Sequence, residues 1–305
     1  MKTLNIFALA VLFISIVSFS TQVNGQGRYF DERYIYTQAN LSPQLINPGA
    51  IGANLDHNIL VNYRNKWSGI DGAPRTITLA YSGAVGNRLG LGVNILSDKF
   101  GELETFKGGL GLSYTIQSEN NQVGFGIGAD YVKHGLAGLG NSNPGDPTIN
   151  NVLNGTEYFD ASFGVYGMYL NRLSYGIVLP SLISARISDI DVDTPDREIG
   201  VILQLGYKID LHPDITMTPN IIMKKLNNVP THVDLNLYFG FLQDKLMAGA
   251  NYTLGADKRL GFMLGTKIDK FNFYYSYNTS SSVIQDYNDG SHELTLGISF
   301  GGGSK

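Results

Sequence analysis

Residues 106–117, FKGGLGLSYTIQ, decide the fold. Phe106, Gly108, Leu110, Leu112, Tyr114 and Ile116 take every second position, and Lys107, Gly109, Gly111, Ser113, Thr115 and Gln117 take the others. A strand sends successive side chains to opposite faces, so this stretch is a strand with one apolar face and one face of small or polar groups. The pattern returns at once, with Val123, Phe125, Ile127, Ala129 and Tyr131 set against Gln122, Gly124, Gly126, Gly128 and Asp130. It returns again where Ile199, Val201, Leu203, Leu205, Tyr207 and Ile209 alternate with Gly200, Ile202, Gln204, Gly206 and Lys208.

Carried along the chain, the alternation predicts strands near 58–66, 75–83, 89–98, 104–117, 121–133, 157–170, 172–180, 198–210, 214–224, 231–242, 245–254, 259–269, 270–279 and 291–300. Most hold about ten residues, enough to cross the apolar layer of an outer membrane when tilted by roughly 45°. The links after even-numbered strands are tight: Gly86-Asn87-Arg88, Ser118 to Asn120, Asn171, Leu211-His212-Pro213, Gln243-Asp244 and Asp269-Lys270. The links after odd-numbered strands, near 67–74, 99–103, 134–156, 181–197, 225–230 and 280–290, are longer, with 255–258 the exception. Outer-membrane barrels have short periplasmic turns and long external loops, so this rhythm puts the start of the first strand in the periplasm. Apolar-face aromatics gather near the strand ends as interfacial girdles should, Tyr114, Tyr169, Tyr207 and Phe273 toward one rim and Tyr63, Tyr131, Tyr252 and Tyr277 toward the other. The expected fold is an all-β transmembrane antiparallel barrel of about 14 strands. The competing architecture, a secreted β-sandwich, needs a charged outer face, whereas the second face here is mostly Gly, Ser, Thr and Asn.

Composition agrees. Charged residues make up 16% of the 305, and Gly (37), Tyr (18) and Phe (15) are abundant, which does not suit a fully solvated surface. A formal charge of −4 argues against a nucleic-acid partner. With no cysteine, disulfides, thiolate metal sites and cysteine nucleophiles are excluded. Residues 1–25 read as a signal peptide, with Lys2 before the apolar run Leu4 to Phe19. The organisation expected is therefore a signal peptide (1–25), an N-terminal periplasmic or lumen-plugging segment (26–56), a barrel (57–300) and a C-terminal tail or cloning remnant (301–305). The segment 26–56 lacks sustained alternation, so it either occupies the lumen or periplasmic mouth, where inward glycines leave room, or is a loosely ordered leader.

Few residues suggest chemistry. Asp189, Asp191, Asp193 and Asp196 sit in one expected external loop, yet Thr194 and Gly200 stand where a calcium loop needs glycine and glutamate, so a weak calcium site and a solvated acidic loop both remain open. His57, His134, His212, His232 and His292 lie in no nucleophile motif. No catalytic, cofactor-binding or metal residue is assigned, and the expectation is that the protein is not an enzyme. Trp67, the single tryptophan, lies in a loop with Gly69, Gly72 and Pro74 and is either an interface anchor or packing that orders the loop.

Two stretches carry a family resemblance. YTQANLSPQLINPGAIG (36–52) resembles the N-terminal signature of the type IX secretion system membrane proteins of the PorP/SprF family, through Gln38, Pro43, Asn47, Pro48 and Gly52. YRNKWSGIDGAPRT (63–76) is similar in Arg64, Trp67, Gly69, Gly72, Ala73, Pro74 and Thr76, and LGLGVNILSDKFG follows it. Ala39 and Ala50 stand where the family usually has an aromatic, and Ser68 and Asp71 where it has prolines. The resemblance implies an outer-membrane component of type IX secretion and gliding that helps export or anchor a large secreted adhesin or filament, without a cofactor. It implies outer-membrane lipid, that adhesin or filament, and periplasmic or cell-wall-linked secretion components as partners. Trp67, Arg64, Gly69 and Pro74 are the partner-binding candidates. The alternative reading is a passive channel or small-molecule transporter, for which the inward charges are few, among them Lys107, Asp130, Asp160, Lys208 and Asp234.

Overall fold

The computed structural model describes residues 34–53, 56–136, 156–186, 200–226, 230–255, 258–280 and 287–301. In order the strands are His57–Asn65 (β1), Arg75–Val85 (β2), Leu89–Phe100 (β3), Leu103–Gln117 (β4), Asn121–Leu136 (β5), Thr156–Tyr169 (β6), Leu173–Arg186 (β7), Val201–Tyr207 (β8), Ile209–His212 (β9), Ile215–Lys225 (β10), His232–Phe241 (β11), Leu246–Leu254 (β12), Arg259–Ile268 (β13), Phe271–Ser280 (β14) and Ser291–Phe300 (β15). Each pairs antiparallel with its sequence neighbour. β8 and β9 both pair with β10 and form one stave interrupted at Lys208, so the wall has fourteen staves. β15 pairs with β1 from His57↔Phe300 to Asn65↔His292, which closes the ring so that no stave is left as an edge strand.

The alternation sets which side chains face out. In β1, Ile59, Val61 and Tyr63 point outward while Leu60, Asn62 and Arg64 are buried inside. Leu110, Ile127, Leu264 and Phe271 are each at least 60% exposed, a surface that would be unstable in water and suits lipid.

Three local expectations are corrected. The link expected at 99–103 shrinks to Gly101-Glu102, a tight turn with Gly101 at φ 57°. The strand expected to stop at Pro180 continues to Arg186. A bulge makes this possible: the β6–β7 register shifts between Ala161 and Phe163, and Ser181 takes φ 57°, so proline sits where no ladder donor is needed. The strand expected unbroken over 198–210 is split at Lys208, whose backbone N–H donates to Arg172 O instead (2.8 Å).

The short turns should lie on one side of the membrane and the 66–74 loop on the other. A cysteine replacing the exposed Asp71 should react with an impermeant thiol reagent on intact cells, and one replacing Asn171 should not; the reverse result would invert the barrel.

Candidate functional site

Residues 34–53 lie inside the barrel, against inward-facing side chains of many staves. This segment has no ladder partner, so its backbone polar groups must be satisfied otherwise. Glu293 of β15, 1% exposed, meets that need at one end: its carboxylate accepts from Thr37 N (2.9 Å), Gln38 N (3.4 Å) and Asn62 Nδ2 (3.0 Å). Gln38 Nε2 donates to Ser276 Oγ (2.9 Å) and Glu293 O (3.2 Å), and Asn40 donates to Asn220. At the other end Gly52 N donates to Ser82 Oγ (3.1 Å), Ser113 Oγ donates to Ile51 O (2.5 Å), and Gln122 donates to Ala53 O. Between them Tyr34, Tyr36, Ala39 and Ile46 pack on the inward Val178, Ile202 and Ile222.

The centre of the segment is Asn47-Pro48-Gly49. Asn47 is fully buried; its Oδ1 accepts from Gly49 N (2.9 Å) and caps the 3₁₀ turn Pro48–Ala50, with proline at the first helical position where no donor is needed. Its Nδ2 donates outward to Val165 O (3.0 Å) and Gln204 Oε1 (2.9 Å), clamping the turn to β6 and β8. The turn fits because the wall opposite is glycine. A Cβ on Gly49 would meet Gly124 O at 2.7 Å and Gly164 O at 2.8 Å, and one on Gly126 would run into the Pro48 backbone. Gly52, at φ 67° and with Gly90 Cα 2.9 Å from where its Cβ would be, admits no side chain. The motif residues Gln38, Asn47, Pro48 and Gly52 are thus buried segment-to-wall contacts, and Pro43 opens the 3₁₀ turn that precedes Asn47.

The half of the lumen nearest the 66–74 loop is charged. Arg64 Nη2 donates to Thr76 Oγ1 (3.0 Å), which donates to Asp98 Oδ1 (2.6 Å), and the guanidinium lies 5.5 Å from the centre of the Tyr36 ring. Lys107 pairs with Asp130 (3.1 Å) and faces the Tyr34 ring, and Lys224 pairs with Asp234 (2.7 Å), which also accepts from Thr253 (2.7 Å). Arg64, Asp98, Lys224 and Glu293 are further buried charges on the inner wall.

The four partner-binding candidates separate. Arg64, 3% exposed, is a lumen residue, and Pro74 is buried beneath the loop. Gly69 is exposed, and Trp67 is half-buried at the rim. Trp67 adopts φ 50°, an unfavourable conformation for a bulky side chain, and the loop holds it there: Trp67 N donates to Ser291 Oγ (3.2 Å), Ser68 N to Gly290 O (2.8 Å) and Asp289 N to Ser68 O (2.7 Å). The indole meets Phe100 edge-on at 6.0 Å. The acidic positions 189–196 and the loop stretches 137–155, 187–199 and 281–286 lie outside the described residues. Among the described residues no cluster of metal-ligating side chains occurs. His57, His134 and His292 each sit within 2.8 Å of a hydroxyl oxygen, Tyr81, Thr105 and Tyr275 respectively.

At the short-turn rim, Asp244 accepts from Lys208 Nζ (2.5 Å) and Thr216 Oγ1 (2.6 Å). Partial burial raises its pKa, but these two donors and the positive charges of Lys208 and Lys267 outweigh it and hold the carboxyl below the ordinary value of 3.8. The pair therefore stabilises the fold above that pH, and the contribution is lost as the pH falls through the depressed folded value. The thermal-stability gap between wild type and Asp244→Asn in detergent should be widest near neutrality and narrow below pH 3.8.

Comparison with known proteins gives a family and a fold. The family model for "Type IX secretion system membrane protein PorP/SprF" matches residues 31–298. A search of curated proteins returned no match. Among solved structures, the CymD monoaromatic hydrocarbon channel is similar at a TM-score of 0.50 and 13% identity, covering 90% of this chain and 94% of that one. Omp33, an outer membrane protein of Acinetobacter baumannii, is similar at a TM-score of 0.46 and 10% identity, covering 81% of this chain and 99% of that one.

Proposed function

Because the chain belongs to the PorP/SprF family of type IX secretion system membrane proteins, and is an outer-membrane barrel component of that machinery, we propose that it works by binding, helping to export or anchor a large secreted adhesin or filament at the cell surface, as in gliding. The observation that carries this reading is the occupied lumen: residues 34–53 are fixed to opposite walls by buried polar contacts, which suits a rigid docking body better than a conduit. The 66–74 loop, pinned to 287–291 and to Phe100, supplies a firm external surface. Periplasmic or cell-wall-linked secretion components would meet the opposite rim. No catalytic step is part of the proposal.

Trp67→Ala tests it. An interface anchor contributes about 2 kcal/mol or more, so recovery of the secreted partner per folded, heat-modifiable barrel should fall by at least about thirty-fold at limiting concentrations. Unchanged recovery with a lower thermal stability would assign Trp67 to loop packing and remove this loop from the contact. A second reading, a passive channel, draws on the paired charges that line the lumen wall; its test is conductance.

A further inference from the structure

Beneath the lumen segment, at the rim of short turns, is a cavity of about 400 Å³. Residues 40–44 and 50–53 form its roof, and its walls come from β1, β2, β6, β13, β14 and β15, all near strand ends joined by short turns, which places it at the periplasmic mouth. Its size is that of a small-ligand site, sufficient for the last three or four residues of a peptide.

The lining is rich in donors that have no acceptor among the described residues. Asn272 Nδ2 donates to Ser299 Oγ (3.1 Å), which donates to Asn58 Oδ1 (2.6 Å); this chain commits the Asn58 oxygen and leaves its Nδ2 hydrogens to the cavity. Tyr274 is buried on the inner wall with its ring against Tyr238 and Met263, and its hydroxyl has no protein partner among the described residues. Lys267 lines the cavity on β13 with no carboxylate in direct contact among the described residues; Asp244 attracts it from nearby, but that carboxylate's hydrogen bonds go to Lys208 and Thr216. Against these the lining holds one acid, Asp56, at the start of β1.

We propose that this vestibule binds the carboxylate of an extended peptide, with Lys267 as the cation and Asn58 and Tyr274 as hydrogen-bond donors. The proposal rests on the binding role above only for the source of the peptide, a periplasmic component. A carboxylate accepts several donors at once and pairs directly with an ammonium, whereas a neutral amide or a cation would gain no such pair with Lys267. A peptide seated there would also touch Leu41, Gln44 and Ala53 of the lumen segment, so occupancy is coupled to the position of that segment.

The test uses the full chain in detergent and equilibrium dialysis against radiolabelled N-acetyl-trialanine and its C-terminal carboxamide. The acid should bind at least ten-fold more tightly than the amide; Lys267→Gln should abolish the preference, Lys267→Arg should keep it, and Lys245→Gln, at the same rim but outside the cavity, should leave it unchanged. Equal binding of acid and amide, no binding of either, or a preference that survives Lys267→Gln would overturn the proposal. Heat-modifiable mobility identifies folded variants. The readout is a dissociation constant for a free peptide, so a failed Trp67 pull-down does not affect it, and failure here leaves external docking standing.

Discussion

Gly126→Leu should make the barrel leaky while leaving it folded. A Cβ at this position meets the carbonyl carbon and oxygen of Pro48 and comes within 2.5 Å of Gly49 N, backbone atoms that cannot rotate aside. Something must move, and two bodies compete. The wall is held by continuous ladders on both sides, Gly126 pairing with Ser113 and Gly164. The lumen segment has no ladder and continues into the wall only through β1, so it yields first. Overpacking costs about 1–3 kcal/mol even where neighbours are side chains, and a leucine against backbone exceeds that. Liposomes containing the variant should admit small sugars at least ten times faster than those with wild type. The control is Gly108→Ala on the outer face of β4, where the nearest atom would be Phe106 Cε1 at 3.7 Å and no change is expected. A sealed Gly126→Leu barrel would mean that the wall deforms instead.

Asn47→Ala should loosen the segment without a steric push. It removes three hydrogen bonds and leaves Gln204 Oε1 and Gly49 N buried without their partner. At about 1 kcal/mol per lost bond the opening free energy of the segment should drop by roughly 3 kcal/mol. Amide exchange within 41–53 should then speed up by about two orders of magnitude, while β3 to β6, which keep their ladders, should exchange as before. Uniform acceleration across both would show that Asn47 supports the whole barrel.

These effects mark what the sequence made legible. Period-two alternation identified every stave, because an apolar side chain at each second position has only one stable destination in a membrane-spanning wall. It faltered where the backbone departs from the regular pleat, at the β6–β7 bulge with Pro180 and at Lys208. The room left by inward glycines was visible, and the structure fills it with Asn47-Pro48-Gly49 against Gly124, Gly126 and Gly164. Which wall residue each segment residue meets was not visible, since the segment has no period and its bonds join positions as far apart as Gln38 and Glu293. The inward position of Arg64 was legible, since with Tyr63 outward, parity alone sends Arg64 into the lumen. Trp67 carried no sign of its positive φ, because that strain is set by Ser291 and Gly290, more than two hundred residues away.

As proposed above, this secretion-system barrel acts as a docking body with a filled lumen and not as a pore. Single-channel recording of the wild-type protein in a planar bilayer, beside Gly126→Leu and Asn47→Ala, addresses it directly. The wild type should be silent or open only in brief, rare events, and both variants should show long open times at a shared, larger conductance. A wild type that conducts steadily, at the level of the variants, would contradict the proposal and make the channel reading the better one.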